Sequence, residues 1–136
     1  MTPSIFGGKG GLRLEQSLGA FPVGEGDISP LYVIFSAANS GAEAVIVERV
    51  YVRAGRRTEL QITSELGGDD GGPPRRIPPG ESATLWMRAK DLSSRLRDAG
   101  QTGAPKLKLV AVDDSGSEHA ARFRLRVDEY LQLEDE

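Results

Sequence analysis

The sequence predicts an all-β chain: a two-layer antiparallel sandwich with one short helix. Three observations carry this. Apolar and polar residues alternate with a period of two along almost every apolar run. Clusters of Asn, Asp, Gly and Pro separate those runs and mark reversals. Only one stretch repeats its apolar residues at helical spacing. Size allows a single domain, because 136 residues expose roughly 21,000 Å² unfolded and roughly 6,900 Å² folded, enough burial for one core without disulfide or metal staples.

In chain order, Leu12 and Leu14 alternate with Arg13 and Glu15 in a weak first strand, after the glycine-rich segment Gly7-Gly8-Lys9-Gly10-Gly11. Leu31 to Ala38 is a second strand, ending at Asn39-Ser40-Gly41, where Asn and Gly suit left-handed turn conformations. Ala44 to Arg53 has the strongest β composition. Its phase slips: Val45 and Val47 share a face with Val50 and Val52 only if a bulge near Glu48-Arg49 absorbs one residue. Arg57 to Thr63 is shorter, with Leu60 and Ile62 on one face. From Leu66 to Gly80, five Gly and four Pro in fifteen residues predict a long surface connection. Glu81 to Lys90 resumes as strand, with Ala83, Leu85 and Met87 facing in and Trp86 facing out. Leu92 to Ala99 is the helix: Asp91 can cap its start, Leu92, Leu96 and Ala99 form its stripe, and Gly100 can close it. Two turns are not stable alone, so the stripe must plug one end of the sheet pair.

The last two strands, Lys106 to Val112 and Ala120 to Val127, allow a register to be derived. A three-residue loop, Asp114-Ser115-Gly116, with Gly116 left-handed, pairs Asp113 with Ser117. It sets Leu107 opposite Phe123, Leu109 opposite Ala121 and His119 opposite Ala111; other loop lengths would turn one apolar set to solvent. On the outer face the same register sets Lys108 against Arg122 and Lys106 against Arg124, with Arg126 nearby. Like charges directly opposite are destabilising, so an acidic neighbour is expected, either Glu48 or the C-terminal segment.

Composition excludes several classes of function. There is no cysteine, hence no disulfide, thiolate nucleophile or Cys-based zinc site, and the single histidine, His119, is read as a rim residue. No GxSxG nucleophile elbow accompanies it. Asp69-Asp70 and Asp113-Asp114 lack the spaced carboxylates of a calcium loop and read as turn formers. The segment Gly7 to Gly11 lacks the GK[ST] ending of a phosphate loop. No eighteen-residue apolar run predicts a membrane span, and the first residues do not read as a secretory signal. The expected setting is the cytoplasm. The net charge is −3, yet residues 128–136 contain five acids and no base, which leaves 17 bases and 15 acids in the rest. The predicted organisation is therefore a flexible arm (1–11), a sandwich (12–127) and an acidic tail (128–136).

Seven short strands over about 100 residues from Pro30 to Val127 describe an immunoglobulin-like sandwich. Ile34-Phe35-Ser36-Ala37-Ala38-Asn39-Ser40-Gly41 with Val45-Ile46-Val47, and Ile77-Pro78-Pro79-Gly80-Glu81-Ser82-Ala83-Thr84-Leu85, resemble bacterial immunoglobulin-like and fibronectin-III-like modules of the adhesion-associated kind. Those modules often show Asn-x-Gly after a strand and Pro-Gly-Glu before one. The resemblance implies the sandwich and a non-catalytic binding or spacer role, with no cofactor and no site residues to carry over. The single unit, the missing signal and the helix after Lys90 depart from that pattern.

The expected function is a non-enzymatic protein–protein interaction or structural module, such as an accessory or tail component of a bacterial virus particle. A regulatory or substrate-binding subunit of a bacterial enzyme complex is the alternative. The partner is another protein or an assembly of copies. The expected contact residues are Trp86, Lys106, Lys108, Arg122, Arg124 and Arg126. Nucleic acid fits less well, since the chain is acidic overall and no aromatic is interleaved with those bases.

Overall fold

The computed structural model describes residues 11–20, 22, 24–62 and 74–132. Over these residues the chain runs β1 (Leu12–Gly19), β2 (Tyr32–Asn39), β3 (Val45–Ala54), β4 (Thr58–Gln61), β5 (Arg75–Ile77), β6 (Ser82–Arg88), α1 (Ala89–Asp98), β7 (Lys106–Asp113), β8 (Glu118–Arg124) and α2 (Val127–Tyr130). One sheet has the order β1-β2-β6; the other is β4-β3-β7-β8, with β5 also paired to β3. Every pairing is antiparallel. The predicted all-β sandwich is present, with its helix between the sixth and seventh strands.

Alternation supplies the core. Leu14, Val33, Phe35, Leu85 and Met87 from the first sheet meet Val45, Val47, Val52, Leu107 and Leu109 from the second in one buried cluster. The phase slip in β3 is a bulge, since the β3–β7 register shifts between Val47 and Arg49, and this brings Val50 back against the core. The β7–β8 hairpin has the derived register, with Leu107 opposite Phe123, Leu109 opposite Ala121 and His119 opposite Ala111. Its turn closes through Asp113 N–H to Ser117 O at 3.0 Å, with Gly116 at φ 88°. Phe123 then reaches across the sandwich to Phe35, ring centroids 5.6 Å apart and edge-on.

Helix α1 plugs one end of the sheets with fully buried Leu92 and Leu96. It starts at Ala89 rather than Leu92: the chain passes straight from β6 into the helix, and the Ala89 N–H is satisfied by Leu31 O at 2.9 Å, so no side-chain cap is needed. Asp91 accordingly lies inside the first turn. The other end matches expectation. Gln101 N–H bonds Leu96 O, Gly100 N–H bonds Arg97 O, and Gly100 has φ 91°, which is a Schellman closure.

Four further boundaries differ from the sequence reading. The stretch 66–80 is not all connection, because Arg75–Ile77 is a strand on β3 that buries Ile77, with Pro74 and Pro78 just outside the paired residues where a missing N–H costs nothing. Its earlier part lies outside the described residues, as do 1–10 of the N-terminal arm. The reversal after β2 uses no left-handed residue. Asn39 makes it instead, its side-chain oxygen accepting from Gly41 N–H at 2.9 Å while its amide donates to Glu43 O at 2.8 Å and Ile77 O at 2.9 Å. Strand β8 ends at Arg124, not Val127, because Val127 N–H turns to bond Gly103 O and opens α2. Finally, Val127 and Tyr130 belong to the core cluster, so the acidic stretch begins on a helix of the domain itself rather than on a tail.

Candidate partner-binding surface

The antiparallel register places cations in rungs on the outer face of the second sheet. Arg53, Lys108 and Arg122 lie directly opposite one another across β3, β7 and β8, and Lys106 faces Arg124 two residues along. Adjacent strands lie about 4.8 Å apart and same-face residues about 6.7 Å apart along a strand, so five positive charges occupy a patch of about 7 by 10 Å. They line an open groove of about 570 Å³ together with Gly55, Leu107 and Phe123, and no acid among the described residues lines it. Lys106, Lys108, Arg122 and Arg124 are exposed. Arg124 donates to Ala104 O at 3.3 Å. Lys106, Lys108 and Arg122 have no hydrogen bond or ion pair among the described residues.

The acidic neighbours are Glu59 and Glu118, not Glu48, and they compensate only one side of this face. Arg53 lies 3.7 Å from Glu59 and 3.5 Å from Glu118. It donates to the Tyr51 hydroxyl at 2.6 Å, and that hydroxyl donates to Glu118 at 3.3 Å. The Tyr51 ring is fully buried although it points away from the core, because the guanidinium groups of Arg49 and Arg53 lie over it, 5.1 and 5.4 Å from its centroid. Burial, and then Glu118, pushes the phenol pKa up, so Tyr51 stays a neutral donor. Arg53 is thus held at the groove edge while the next four cations have no counter-charge among the described residues. The sequence reading missed Arg53, because β3 is more than fifty residues from β7 and nothing local reveals that they pair.

The six residues expected to contact a partner do not form one surface. Trp86 faces outward, as predicted, but from the other sheet: it pairs with Ile34 on the outer face of β1-β2-β6 and meets Tyr32 edge-on at 6.3 Å. It is half-buried, and the sandwich separates it from the cations. Arg126 follows β8 and is turned to Glu129, 3.5 Å away on α2. The structure therefore gathers Lys106, Lys108, Arg122 and Arg124 and adds Arg53.

His119 is a buried residue rather than a solvated rim residue, and it belongs to the β7–β8 turn. Its Nε2 lies 2.9 Å from Asp113 Oδ2. Oδ1 of the same carboxylate accepts from Ser115 N–H, Ser115 Oγ–H and Ser117 N–H at 2.9, 2.6 and 3.0 Å. Burial raises the Asp113 pKa, but these hydrogen bonds outweigh it and hold the carboxyl down at about 2. An ionised carboxylate only accepts, so His119 Nε2 carries the proton. Ser, Asp and His side chains are therefore adjacent in the wrong order for nucleophilic catalysis: the hydroxyl donates to the carboxylate, and no base stands ready to take its proton. Asp113 is filled by donors, which leaves it no role as a cation ligand. Asp69 and Asp70 lie outside the described residues. No metal-holding group of three His, Asp or Glu occurs among the described ones. Between the sheets, an apolar cavity of about 40 Å³ lined by Leu14, Phe35, Ile77 and Leu109 is far smaller than an organic ligand site.

No family model and no curated protein matches the chain. Among solved structures, an X-ray structure determined as a structural-genomics target is 18% identical, covering 93% of this chain and 94% of its own, with a TM-score of 0.47. The crystal structure of a Bordetella pertussis protein provisionally called ApaA is 17% identical, covering 85% and 94%, with a TM-score of 0.36. Neither similarity assigns a family or an activity. Among the described residues no helix is long and apolar enough to cross a membrane.

Proposed function

We propose that the chain is a non-enzymatic interaction module, an immunoglobulin-like sandwich whose basic groove holds an acidic region of a partner protein or of a larger assembly. One observation carries this reading: five cations share an open groove that no acid among the described residues lines, on a chain whose net charge is −3. Cross-strand like-charge pairs cost stability in the isolated domain, and an acidic partner turns that cost into attraction. The reading places the protein in the cytoplasm or, as an accessory or tail component, on the particle of a bacterial virus.

The test is co-purification from the native source at moderate salt, comparing the wild type with a Lys106→Glu, Arg122→Glu double variant. Each substitution converts one like-charge rung into an opposite-charge rung, so the fold is kept while the groove falls from five positive charges to a net of one. A stable partner or particle retained by the wild type and lost by the variant supports the module. A partner held equally by both, or turnover of a small substrate by the purified monomer, overturns it.

A further inference from the structure

The groove's dimensions restrict what it can hold. Its charges form two rungs, Arg53–Lys108–Arg122 and Lys106–Arg124, set two residues apart along β7 and β8. That separation, about 6.7 Å, is the repeat of same-face side chains on an extended chain. The surface beyond the rungs limits the footprint to those two rows. The next row on this face is Gln61, Tyr51, Val110 and Ala120, without a cation; the row after it, Arg49, Val112 and Glu118, has its one cation stacked on the Tyr51 ring and carries Glu118 on β8, which repels a further acid. On the other side of the patch Gly55 lines the groove and offers no side chain to obstruct an entering segment.

Resting on the reading of the groove as the site for an acidic partner, we propose that the bound element is an extended acidic segment with acids at alternate residues. One carboxylate would sit on each rung, and the segment would run along β7 and β8. A single-stranded nucleic acid is the weaker occupant. Among the described residues no exposed aromatic side chain stands on the outer face of the rungs to stack a base, since the Tyr51 ring is capped on this face by Arg49 and Arg53. Arg122 and Arg124 suit carboxylates particularly well, because a guanidinium can donate two parallel hydrogen bonds to one acid.

The test is an amide chemical-shift titration of the full chain with two peptides of identical composition, each carrying two glutamates in an otherwise serine chain, one alternating (Glu at i and i+2) and one contiguous (Glu at i and i+1, on opposite faces), and with an oligothymidylate of equal charge. The alternating peptide is expected to shift the amides of Lys106, Lys108, Arg122 and Arg124. It should bind about threefold or more tighter than the contiguous one, the worth of one extra exposed ion pair. The Lys106→Glu, Arg122→Glu variant should abolish both the shifts and the difference. Equal or tighter binding of the contiguous peptide, or shifts elsewhere on the domain, overturns the extended segment but leaves an acidic partner standing. No binding by either peptide, with the native partner still lost on charge reversal, also overturns the segment while sparing that reading. Tightest binding by the oligothymidylate overturns both.

Discussion

Replacing Asp113 with Asn should lower stability by about 2 to 3 kcal/mol at neutral pH, and the loss should vanish in acid. The magnitude follows from the turn. Burial alone would raise the carboxyl pKa, yet donors from Ser115, Ser117 and His119 bring it from 3.8 to about 2. A depression of that size corresponds to about 2.5 kcal/mol favouring the ionised group in the folded state, taking about 1.4 kcal/mol per pH unit. The sign is fixed by linkage. Because the folded-state pKa lies below the unfolded one, the contribution is complete above the unfolded value of 3.8 and is lost as pH falls through about 2. Asn keeps an oxygen for the two backbone donors but turns an amide donor toward His119 Nε2 or Ser115, leaving one buried polar contact unmade. Urea unfolding of both proteins at a series of pH values measures the gap. A loss below about 0.5 kcal/mol at neutral pH, or a gap that stays constant down to pH of about 2, refutes the carboxylate as the clamp of this hairpin.

Three other perturbations have definite expected outcomes. Phe123→Ala should cost about 2 kcal/mol, below the value for a fully buried Phe because the ring is only half-buried, and thermal or urea unfolding checks it; a cost under about 0.5 kcal/mol would mean that the edge-on contact with Phe35 adds nothing. Asn39→Ala removes three hydrogen bonds that tie the end of β2 to the reversal after it and to Ile77, and should cost about 3 kcal/mol, with faster amide exchange at Gly41. Trp86→Ala should destabilise the domain by about 2 kcal/mol through the lost packing on Tyr32 while leaving partner capture by the groove unchanged; loss of the partner with stability intact would show that the outer face of the first sheet is the contact.

The legible and illegible parts of the fold divide along a physical line. Where the signal is local, the residues carry it. Gly116 allows only one loop that keeps Leu107 and Phe123 on the same face, and the valines on either side of Glu48-Arg49 demand a bulge. Where the decision is made by a distant contact, the sequence is silent. Nothing near Ala89 indicates that Leu31 will satisfy its N–H and let the helix start early. Likewise Arg75-Arg76-Ile77, among prolines and glycines, is a strand only because β3 offers it a partner. The candidate surface follows the same division. The Lys108–Arg122 and Lys106–Arg124 rungs follow from one hairpin, whereas Arg53 and the separation of Trp86 from them depend on which strands neighbour each other in the two sheets.

The outer face of the second sheet contains two charged regions with opposite logic. Around Tyr51, every cation has its answer: Arg49 and Arg53 stack on the ring, and Arg53 meets both Glu59 and Glu118. One strand further on, Lys108 and Arg122 face each other with no acid in contact among the described residues, and Lys106 and Arg124 repeat the arrangement. Both regions lie on the outer face of one sheet, so the sheet itself does not require the second to be left uncompensated. A glutamate at Lys106 or Arg122 would satisfy each rung as Glu59 satisfies Arg53. Local rules broken without compensation inside the domain tend to be met from outside it. That contrast on a single sheet face, rather than the number of bases, is what singles out the groove as the surface built for a partner.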